Sequence, residues 1–240
     1  MDKIEFKNIF EKNIKEFEIR INDDQIDKFY EYMNLLLEWN QKMNLTAITD
    51  CREIIIKHFV DSLTIEKYIE KDSYLVDVGT GAGFPGIPLK ILREDLNVVL
   101  LDSLNKRIKF LNEVCDKLKL NKIEAVHARA EEFARNKNYR EKFDVVTSRA
   151  VANLSTLSEY MLPLVKKEGI CICMKGKEVE EELHSAQKAI KVLGGTLKKE
   201  EELYLDNNQI SRNIIVLEKV ERTPTKYPRK AGMPSKEPLK

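Results

Sequence analysis

The sequence predicts an α/β fold in which helices cover a mostly parallel sheet, with a helical extension at the N-terminus. Two observations predict it. Residues 1–70 repeat apolar side chains at intervals of three and four and contain no strand-like run. From about residue 73, short continuous apolar runs alternate with amphipathic stretches. Continuous apolar runs are typical of strands buried on both faces, and their alternation with helices is typical of parallel sheets.

Composition indicates an ordinary globular protein. The chain has 240 residues, of which 42% are hydrophobic and 34% charged, and its net charge is +1. At about 150 residues per domain, this length fits one large domain or one domain with an appendage. No apolar run approaches the ~18 residues of a membrane span, and the charged N-terminus has no signal core, so we expect a cytoplasmic protein. The four cysteines form no C-x-x-C pair, and we expect no metal site.

The N-terminal region, residues 1–70, is expected to consist of amphipathic helices. One helix is predicted in DDQIDKFYEYMNLLLEWNQ and another in REIIIKHFVDSLTI. Trp39 ends the first of these. Packing against the rest of the protein is the more common role for such a residue, and stacking on a nucleic-acid base is the alternative.

Residues 71–221 are expected to form the α/β domain. Its strands are predicted in YLVDVG, NVVLLD, KIEAVHA, FDVVTSRA, GICICMKG, TLKKEEELYL and RNIIVLEKVE. Helices are predicted in the intervening GIPLKILRED, SLNKRIKFLNEVCDKLKL, NLSTLSEYMLPLV and EVEEELHSAQKAIKVLGG. Ser103 is the expected N-cap of the second of these helices.

Residues 222–240 differ from the rest of the chain. They contain four of the seven prolines, at 224, 228, 234 and 238, and six Lys or Arg residues against a single Glu. This composition predicts an extended basic tail without helical or strand periodicity. We expect the tail to contact nucleic acid through Lys226, Arg229 and Lys230 and to leave any cofactor site untouched. A disordered, solvated terminus is the alternative.

The first predicted strand runs into a glycine-rich turn, YLVDVGTGAGFPG, with glycines at 79, 81, 83 and 86. A plain strand-to-helix turn needs only one glycine, whereas several allow backbone to approach a ligand closely. The spacing is not the dinucleotide fingerprint G-x-G-x-x-G, because the third glycine comes one position early. Asp77 precedes the first glycine by two residues, and Asp102 ends the next apolar run. Carboxylates at these strand ends suit a cationic cofactor with a ribose.

This acid-x-G-x-G-x-G pattern resembles the cofactor site of Rossmann-like methyltransferases that use S-adenosylmethionine (SAM). A closer resemblance, to the RsmG (GidB) family, spans nearly the whole chain. Its matching segments are EWNQKMNLTAIT at 38–49, KHFVDSL at 57–63, DVGTGAGFPGIPLKI at 77–91, SRAVANL at 148–154 and KYPRKAGMPSKEPL at 226–239. The resemblance implies a Rossmann-like fold with a mostly parallel seven-stranded sheet. It also implies SAM-dependent methylation of N7 of a guanine in the 530 loop of 16S rRNA, in the small ribosomal subunit.

The resemblance implies cofactor contacts at Gly79, Phe84, Ala130, Glu131 and Arg149. Phe84 could instead be a core residue, and Arg149 could be a solvated charge. From their positions at the strand ends and in the glycine turn, we add the three residues Asp77, Gly81 and Asp102.

Other roles are less determined by the sequence. His58 and Asp61 belong to KHFVDSL and could line the methyl-acceptor side or only pack helices. Lys175 and Lys177 follow the fifth strand and could face RNA or solvent. The sequence identifies no catalytic base, and guanine N7 needs none, since it carries a free lone pair. We expect a monomer.

Two alternatives to rRNA methylation remain open at this point. One is a SAM-dependent methyltransferase that acts on a protein or a small molecule, which would have little use for a basic tail. The other is a non-catalytic RNA-binding protein on the same fold, for which a broken glycine turn would be expected.

Overall fold

The computed structural model describes residues 1–149, 151–176 and 179–239. Its sheet has seven strands: β1 (Tyr74–Val78), β2 (Asn97–Asp102), β3 (Ile123–His127), β4 (Phe143–Arg149), β5 (Val165–Lys175), β6 (Gly195–Leu205) and β7 (Ile210–Lys219). The strand order is β3-β2-β1-β4-β5-β7-β6. β1 to β5 pair in parallel, and β7 runs antiparallel to both of its neighbours. All seven predicted strands and the mostly parallel sheet are confirmed.

The N-terminal region is helical, as predicted. It contains α1 (Lys3–Ile14), α2 (Asp23–Met43), α3 (Cys51–Ile54) and α4 (Asp61–Leu63). A π-helical turn, Ile55–Val60, joins α3 to α4, so that residues 51–63 form one continuous helical segment. Asn22 caps α2 through a reciprocal pair of hydrogen bonds with Gln25, which fixes where this long helix begins.

The remaining helices follow the strands. They are α5 (Gly86–Leu92), α6 (Asn105–Lys117), α7 (Ala130–Arg135), α8 (Leu154–Met161), α9 (Glu180–Val192) and α10 (Met233–Lys236). The prediction that Ser103 caps α6 is wrong. Leu104 occupies the N-cap position without a side-chain cap, and the Oδ1 of Asp102 accepts the hydrogen bond of the Leu104 N–H instead.

Two hydrophobic clusters cover the two faces of the sheet. The first combines α1, α2 and the 51–63 segment with α5, α6 and one face of the strands, and it includes Phe10, Phe59 and Phe110. The second combines α8, α9 and the other face of the strands with Tyr227 from the tail. Residues 1–70 therefore share a core with residues 71–221. Trp39 lies 5.6 Å from Phe110 between ring centroids, so α2 packs on α6 through it and the packing role is confirmed.

The tail is not a free extended arm, and the expectation of no helix in it is wrong. Arg140 donates hydrogen bonds to the main-chain oxygens of Thr223 and Tyr227. The hydroxyl of Thr156 donates to the main-chain oxygen of Pro234. The tail contains the short helix α10. Its prolines and polar main chain are accommodated because side chains of the domain supply hydrogen bonds that a helix or strand would otherwise provide. Within the described residues, no helix combines the length and the apolar character that a membrane span requires.

Candidate active site

Two adjoining cavities lie at the carboxyl ends of the central strands. They measure about 780 and 430 Å³, and both are lined by Gly79, Asp102, Ser103 and Val151. The sheet order reverses between β1 and β4, which is where open parallel sheets place their ligands. The larger cavity extends towards the N-terminal helices, and the smaller one extends towards α7 and the tail.

The glycine turn forms the floor between the two cavities. Gly79 and Gly81 have φ angles of 70° and 63°, in the left-handed region that side chains disfavour. A Cβ on Gly79 would lie 2.7 Å from Val151, whereas one on Gly81 would meet only the oxygen of Gly79 at 4.0 Å. Glycine is therefore required at position 81 for the backbone conformation. At position 79 it is required for the backbone conformation and for the close approach of Val151. The main-chain N–H groups of Gly79 and Thr80 donate to the Leu101 oxygen, which ties the turn to β2.

Asp77 lies beneath the turn and is fully buried. Its Oδ2 accepts hydrogen bonds from the Thr80 hydroxyl at 2.6 Å and from the Gly86 N–H at 2.9 Å. Its Oδ1 has no partner among the described residues. Desolvation raises the pKa of Asp77 to about 6, although these hydrogen bonds oppose the rise. Asp77 is not among the residues that line either cavity, so the structure gives it a role in holding the turn, and its contact with a cofactor stays a prediction.

Asp102 lies at the junction of the two cavities, where the strand-end argument places it. Its Oδ2 accepts from the Gly81 N–H and from Arg107, both at 3.0 Å, and its Oδ1 accepts from the Leu104 N–H. The carboxylate thus connects the glycine turn to the start of α6. A hydroxyl-bearing ligand at this junction would compete with Arg107 for Oδ2.

Phe84, His58 and Arg149 form a stack on the wall of the larger cavity. The rings of His58 and Phe84 are 4.5 Å apart and inclined by only 15°, and the Arg149 guanidinium lies 5.0 Å from the Phe84 ring centroid. Phe84 also packs 5.5 Å from Tyr32, so it belongs to the core and lines the cavity at the same time. Phe84 is therefore a core residue that also lines the cavity, and its contact with a cofactor stays a prediction.

Arg149 is held by the N-terminal region. Its Nη1 donates to Asp61 Oδ2 at 3.0 Å and to the Lys57 oxygen, and its Nη2 donates to His58 Nδ1 at 3.1 Å. Arg212 of β7 donates to the other oxygen of Asp61. Arg149 is thus not a solvated charge. His58 and Asp61 line the cavity and also fix the packing of their helical segment on the sheet.

The smaller cavity brings Ala130 and Glu131 together with the tail. Glu131 is buried, and its Oε1 accepts a hydrogen bond at 2.7 Å from the N–H of Gly232. Gly232, Ser235 and Lys236 line this cavity opposite Ala130. The tail therefore forms part of the wall of a candidate cofactor cavity, contrary to the expectation that it leaves that site untouched.

The three tail cations differ in their surroundings. Arg229 makes an ion pair with Glu159, which is fully buried, through hydrogen bonds of 2.7 to 3.1 Å. Its guanidinium therefore anchors the tail, and a contact with RNA would have to compete with this pair. Lys226 and Lys230 are exposed. Their binding of RNA stays a prediction.

The predictions for Lys175, the last residue of β5, and for Lys177 also have different outcomes. Lys175 donates to the Ala152 oxygen and pairs with Glu182 at 2.6 Å, and only 9% of its side chain is exposed, so a role in facing RNA is not supported. Lys177 lies outside the described residues.

Sequence reasoning missed Thr46, Tyr32 and Arg107. Thr46 lines the larger cavity, Arg107 binds Asp102, and the hydroxyl of Tyr32 donates to the Ala82 oxygen of the glycine turn. Thr46 stands within EWNQKMNLTAIT, and this segment could have indicated it. The other two residues lie on helices, where an aromatic or an arginine has no distinguishing local pattern.

A family model described as "GidB: rRNA small subunit methyltransferase G" matches residues 25–211. The chain belongs to this family. It is 51% identical over 99% of its length to the whole ribosomal RNA small subunit methyltransferase G of Alkaliphilus oremlandii. It is also 55% identical over 93% of its length to 92% of the protein of the same name from Acetivibrio thermocellus.

Solved structures show the fold more broadly. TYW2 of M. jannaschii in complex with AdoMet matches with a TM-score of 0.52 and 16% identity, over 68% of this chain and 76% of TYW2. TrmN of Thermus thermophilus matches with a TM-score of 0.51 and 15% identity, over 69% of this chain and 53% of TrmN. The predicted Rossmann-like methyltransferase fold and the RsmG (GidB) family are both confirmed.

Proposed function

We propose that the protein transfers the methyl group of SAM to N7 of a guanine in the 530 loop of 16S rRNA. Membership of the RsmG family confirms the coarser prediction of a SAM-dependent methyltransferase of small-subunit rRNA. The observation that carries the proposal is the match with curated small subunit rRNA methyltransferases over almost the full length of the chain, with the glycine turn and its cavities intact. The nucleotide and the atom methylated are the proposed part.

The cavities fit SAM better than a dinucleotide. A dinucleotide places its pyrophosphate on the first N–H groups of the helix that follows the glycine turn. Here Gly86 begins that helix, and its N–H is already bound by the Asp77 carboxylate at 2.9 Å. A buried carboxylate at this point repels a phosphate and attracts a cation. Asp102 at the cavity junction and the Ala130–Glu131 pair in the smaller cavity would hold the ribose and the base of the cofactor.

The bound cofactor supplies an electrophilic methyl carbon attached to a positively charged sulfur. The N7 lone pair of guanine forms the new bond to this carbon as its bond to sulfur breaks, and no proton has to leave. The protein's main contribution is then alignment, which can lower a barrier by at most about 7–11 kcal/mol. Phe84, His58 and Arg149 provide a rigid wall for this purpose, since each is fixed by the other two.

His58 and Asp61, the two titratable groups considered for the acceptor side, are poorly suited to remove a proton. Burial and, secondarily, the charge of Arg149 lower the pKa of His58 to about 3, and its Nδ1 is occupied by Arg149. Asp61 is occupied by Arg149 and Arg212. Both observations agree with a reaction that needs no general base.

Positive side chains near the cavities suit an RNA substrate. The exposed Lys226 and Lys230 stand on the tail, whereas the cations that line the larger cavity are paired with carboxylates; these are Lys57, Arg107, Arg149 and Arg212. Cations spread along a surface track a phosphate backbone, whereas a protein or small-molecule substrate gives them little to bind. We propose that the enzyme acts as a monomer, in the cytoplasm, where small ribosomal subunits are found.

The test uses purified protein, SAM labelled in its methyl group and small subunits from a strain that lacks the enzyme. Nuclease digestion and mass spectrometry should locate one labelled methyl on N7 of a guanine in the 530 loop. Label on another nucleotide would correct the substrate, and label only on ribosomal protein would support the alternative substrate class. Absence of transfer by protein that binds both SAM and subunits would support the non-catalytic alternative.

A further inference from the structure

We propose that the Thr46 hydroxyl donates a hydrogen bond to O6 of the acceptor guanine and thereby selects guanine over adenine. This inference rests on the proposed function. Thr46 lies in the connection between α2 and α3 and lines the part of the larger cavity that the N-terminal region forms, together with Leu45, Ile48 and His58. None of these residues lines the smaller cavity, so we take this part as the side on which the acceptor base enters.

The main chain of Thr46 is fixed by one side chain of α2. The amide of Asn40 accepts the Thr46 N–H at 2.9 Å and donates to the Thr46 oxygen at 3.0 Å. A connecting loop is ordinarily mobile, but this double hydrogen bond ties it to a 21-residue helix packed in the core. The Thr46 side chain is thus presented to the cavity from a rigid support.

The hydrogen bonds around His58 determine the donor pattern. Arg149 can only donate, so the His58 Nδ1 that it contacts at 3.1 Å must accept. The neutral ring therefore carries its proton on Nε2 and donates it to the Thr46 Oγ1, 2.8 Å away. The lowered pKa of His58, caused by burial and then by Arg149, agrees with a neutral ring.

The Thr46 hydroxyl is left with one unused donor. Its Oγ1 accepts from His58 and from the Ile48 N–H at 3.1 Å, so both of its lone pairs are engaged. Among the described residues, no acceptor within hydrogen-bonding distance receives the proton of this hydroxyl. The proton is therefore available to a ligand in the larger cavity.

Guanine presents a matching acceptor. Its O6 lies beside N7 on the same edge of the base, whereas adenine has an amino donor in that place. When N7 faces the cofactor, a donor on this wall meets O6 of guanine favourably and opposes the amino group of adenine. Discrimination is strong where the protein donor is fixed and desolvated. Here a series of hydrogen bonds fixes the orientation of the hydroxyl, running from Arg212 through Asp61 and Arg149 to His58.

The experiment pairs enzyme variants with substrate analogues. Small subunits are reconstituted with ligated 16S rRNA that carries guanosine, inosine or 2-aminopurine riboside at the methylated position. Inosine keeps O6 and N7, and 2-aminopurine keeps N7 but lacks O6. The enzymes are the wild type, Thr46→Val, which removes the hydroxyl at nearly constant volume, and Thr46→Ser, which keeps it. The rate constant of single-turnover methylation and the affinity for SAM are measured for each.

Thr46→Val should lower the rate by about tenfold on guanosine and inosine, the loss expected for one hydrogen bond. It should cause no further loss on 2-aminopurine, and Thr46→Ser should stay near the wild type throughout. SAM affinity should be unchanged in both variants. An equal loss on all three substrates, or a loss of SAM affinity, would overturn the proposal. Wild-type enzyme that leaves guanosine N7 unlabelled would instead overturn the proposed function.

Discussion

Asp77 carries a buried charge that the glycine turn stabilises only in part. Two donors reach its Oδ2, but its Oδ1 has no partner among the described residues. A buried carboxylate whose pKa is raised destabilises the folded protein at neutral pH. A site tolerates such a cost when the charge holds a turn in place and attracts a cation nearby. Asp77 therefore holds the turn at a cost in stability, and substitution tests whether its charge also favours cofactor binding.

We predict that Asp77→Asn stabilises the ligand-free protein at neutral pH. The folded-state pKa of Asp77 is raised to about 6 from an ordinary 3.8. The contribution of the protonated carboxyl to wild-type stability is therefore complete below about pH 4 and is lost as the pH rises through about 6. The amide has no charge to desolvate, so its free energy of unfolding should exceed that of wild type by about 1–3 kcal/mol above pH 6. Urea denaturation between pH 4.5 and 8 measures this difference, and SAM affinity should fall.

Asp95→Asn is a control of opposite sign. Hydrogen bonds from Arg93 lower the pKa of Asp95, so its carboxylate stabilises the folded protein above its ordinary pKa and the variant should be less stable at neutral pH. If Asp77→Asn gave the same destabilisation, with no dependence on pH, the role of desolvation at Asp77 would be wrong.

We predict that Gly81→Val abolishes measurable SAM binding while the protein stays folded. A side chain at a φ of 63° costs about 1–2 kcal/mol, and valine also places two methyl groups at the cavity floor. Gly81→Ala carries the backbone cost with little volume and should weaken binding less. Titration calorimetry compares the three proteins, and circular dichroism checks their fold. Wild-type affinity in folded Gly81→Val would remove this turn from the cofactor site.

At the scale of elements, helix α2 supports the glycine turn from below. Tyr32, on α2, is fully buried, stacks on Phe84 and donates its hydroxyl to the Ala82 oxygen. The turn is also tied to β2, Asp77 and Asp102, and Tyr32 adds a contact from a helix about fifty residues earlier in the chain. This arrangement explains why the N-terminal region shares its core with the catalytic domain.

We predict that Tyr32→Phe destabilises the protein by about 1–3 kcal/mol, because a buried carbonyl loses its donor. SAM affinity should also fall, since the turn is less well held. Tyr30→Phe is a matched control on the same helix. Its hydroxyl donates to the Met1 oxygen in an exposed hydrogen bond, so its removal should change stability by less than about 0.5 kcal/mol. Equal effects of the two substitutions would contradict the support of the turn by α2.

At the scale of the whole molecule, the tail presents exposed cations in one part and lines the smaller cavity in another. The tail exposes Lys226 and Lys230 and then closes the smaller cavity through Gly232 and Lys236. Arg229 separates these two parts and fastens the segment to the buried Glu159. Removal of Arg229 would leave a buried charge unpaired, so variants that keep this pair give clearer results.

We predict that a chain ending at Lys230 binds SAM about three- to tenfold more weakly, because Glu131 loses the Gly232 N–H and the cavity loses part of its wall. Its affinity for rRNA should depend on salt as in wild type.

The double variant Lys226→Ala/Lys230→Ala should change rRNA binding and leave SAM binding as it is. SAM affinity stays, and the slope of log K against log salt shrinks by roughly 1.4–1.8 for two phosphate contacts. Lys117→Ala/Lys119→Ala controls for net charge. The same response of both tail variants would contradict this division of the tail.

The sequence by itself determined the strands, most helices, the glycine turn and the family. Strands such as NVVLLD and helices such as DDQIDKFYEYMNLLLEWNQ are encoded by local apolar periodicity, which a single segment carries whatever its partners are. The turn was recognisable because positive φ at Gly79 and Gly81 imposes glycine directly. Asp102 was placed correctly at the cavity because a residue at the end of a parallel strand reaches the ligand edge in any such sheet.

Only the tertiary structure decided which charges are paired and which are free. Arg229 meets Glu159 across 70 residues, Arg149 meets His58 across 91, and Gly232 meets Glu131 across 101. No local pattern specifies such partners, because an arginine in a basic tail looks the same whether it faces solvent or a buried carboxylate. The same holds for Thr46, whose Oγ1 accepts from His58 and Ile48 and whose proton meets no acceptor among the described residues. Periodicity fixes the elements, whereas the chemistry of the site depends on contacts that form when distant elements pack.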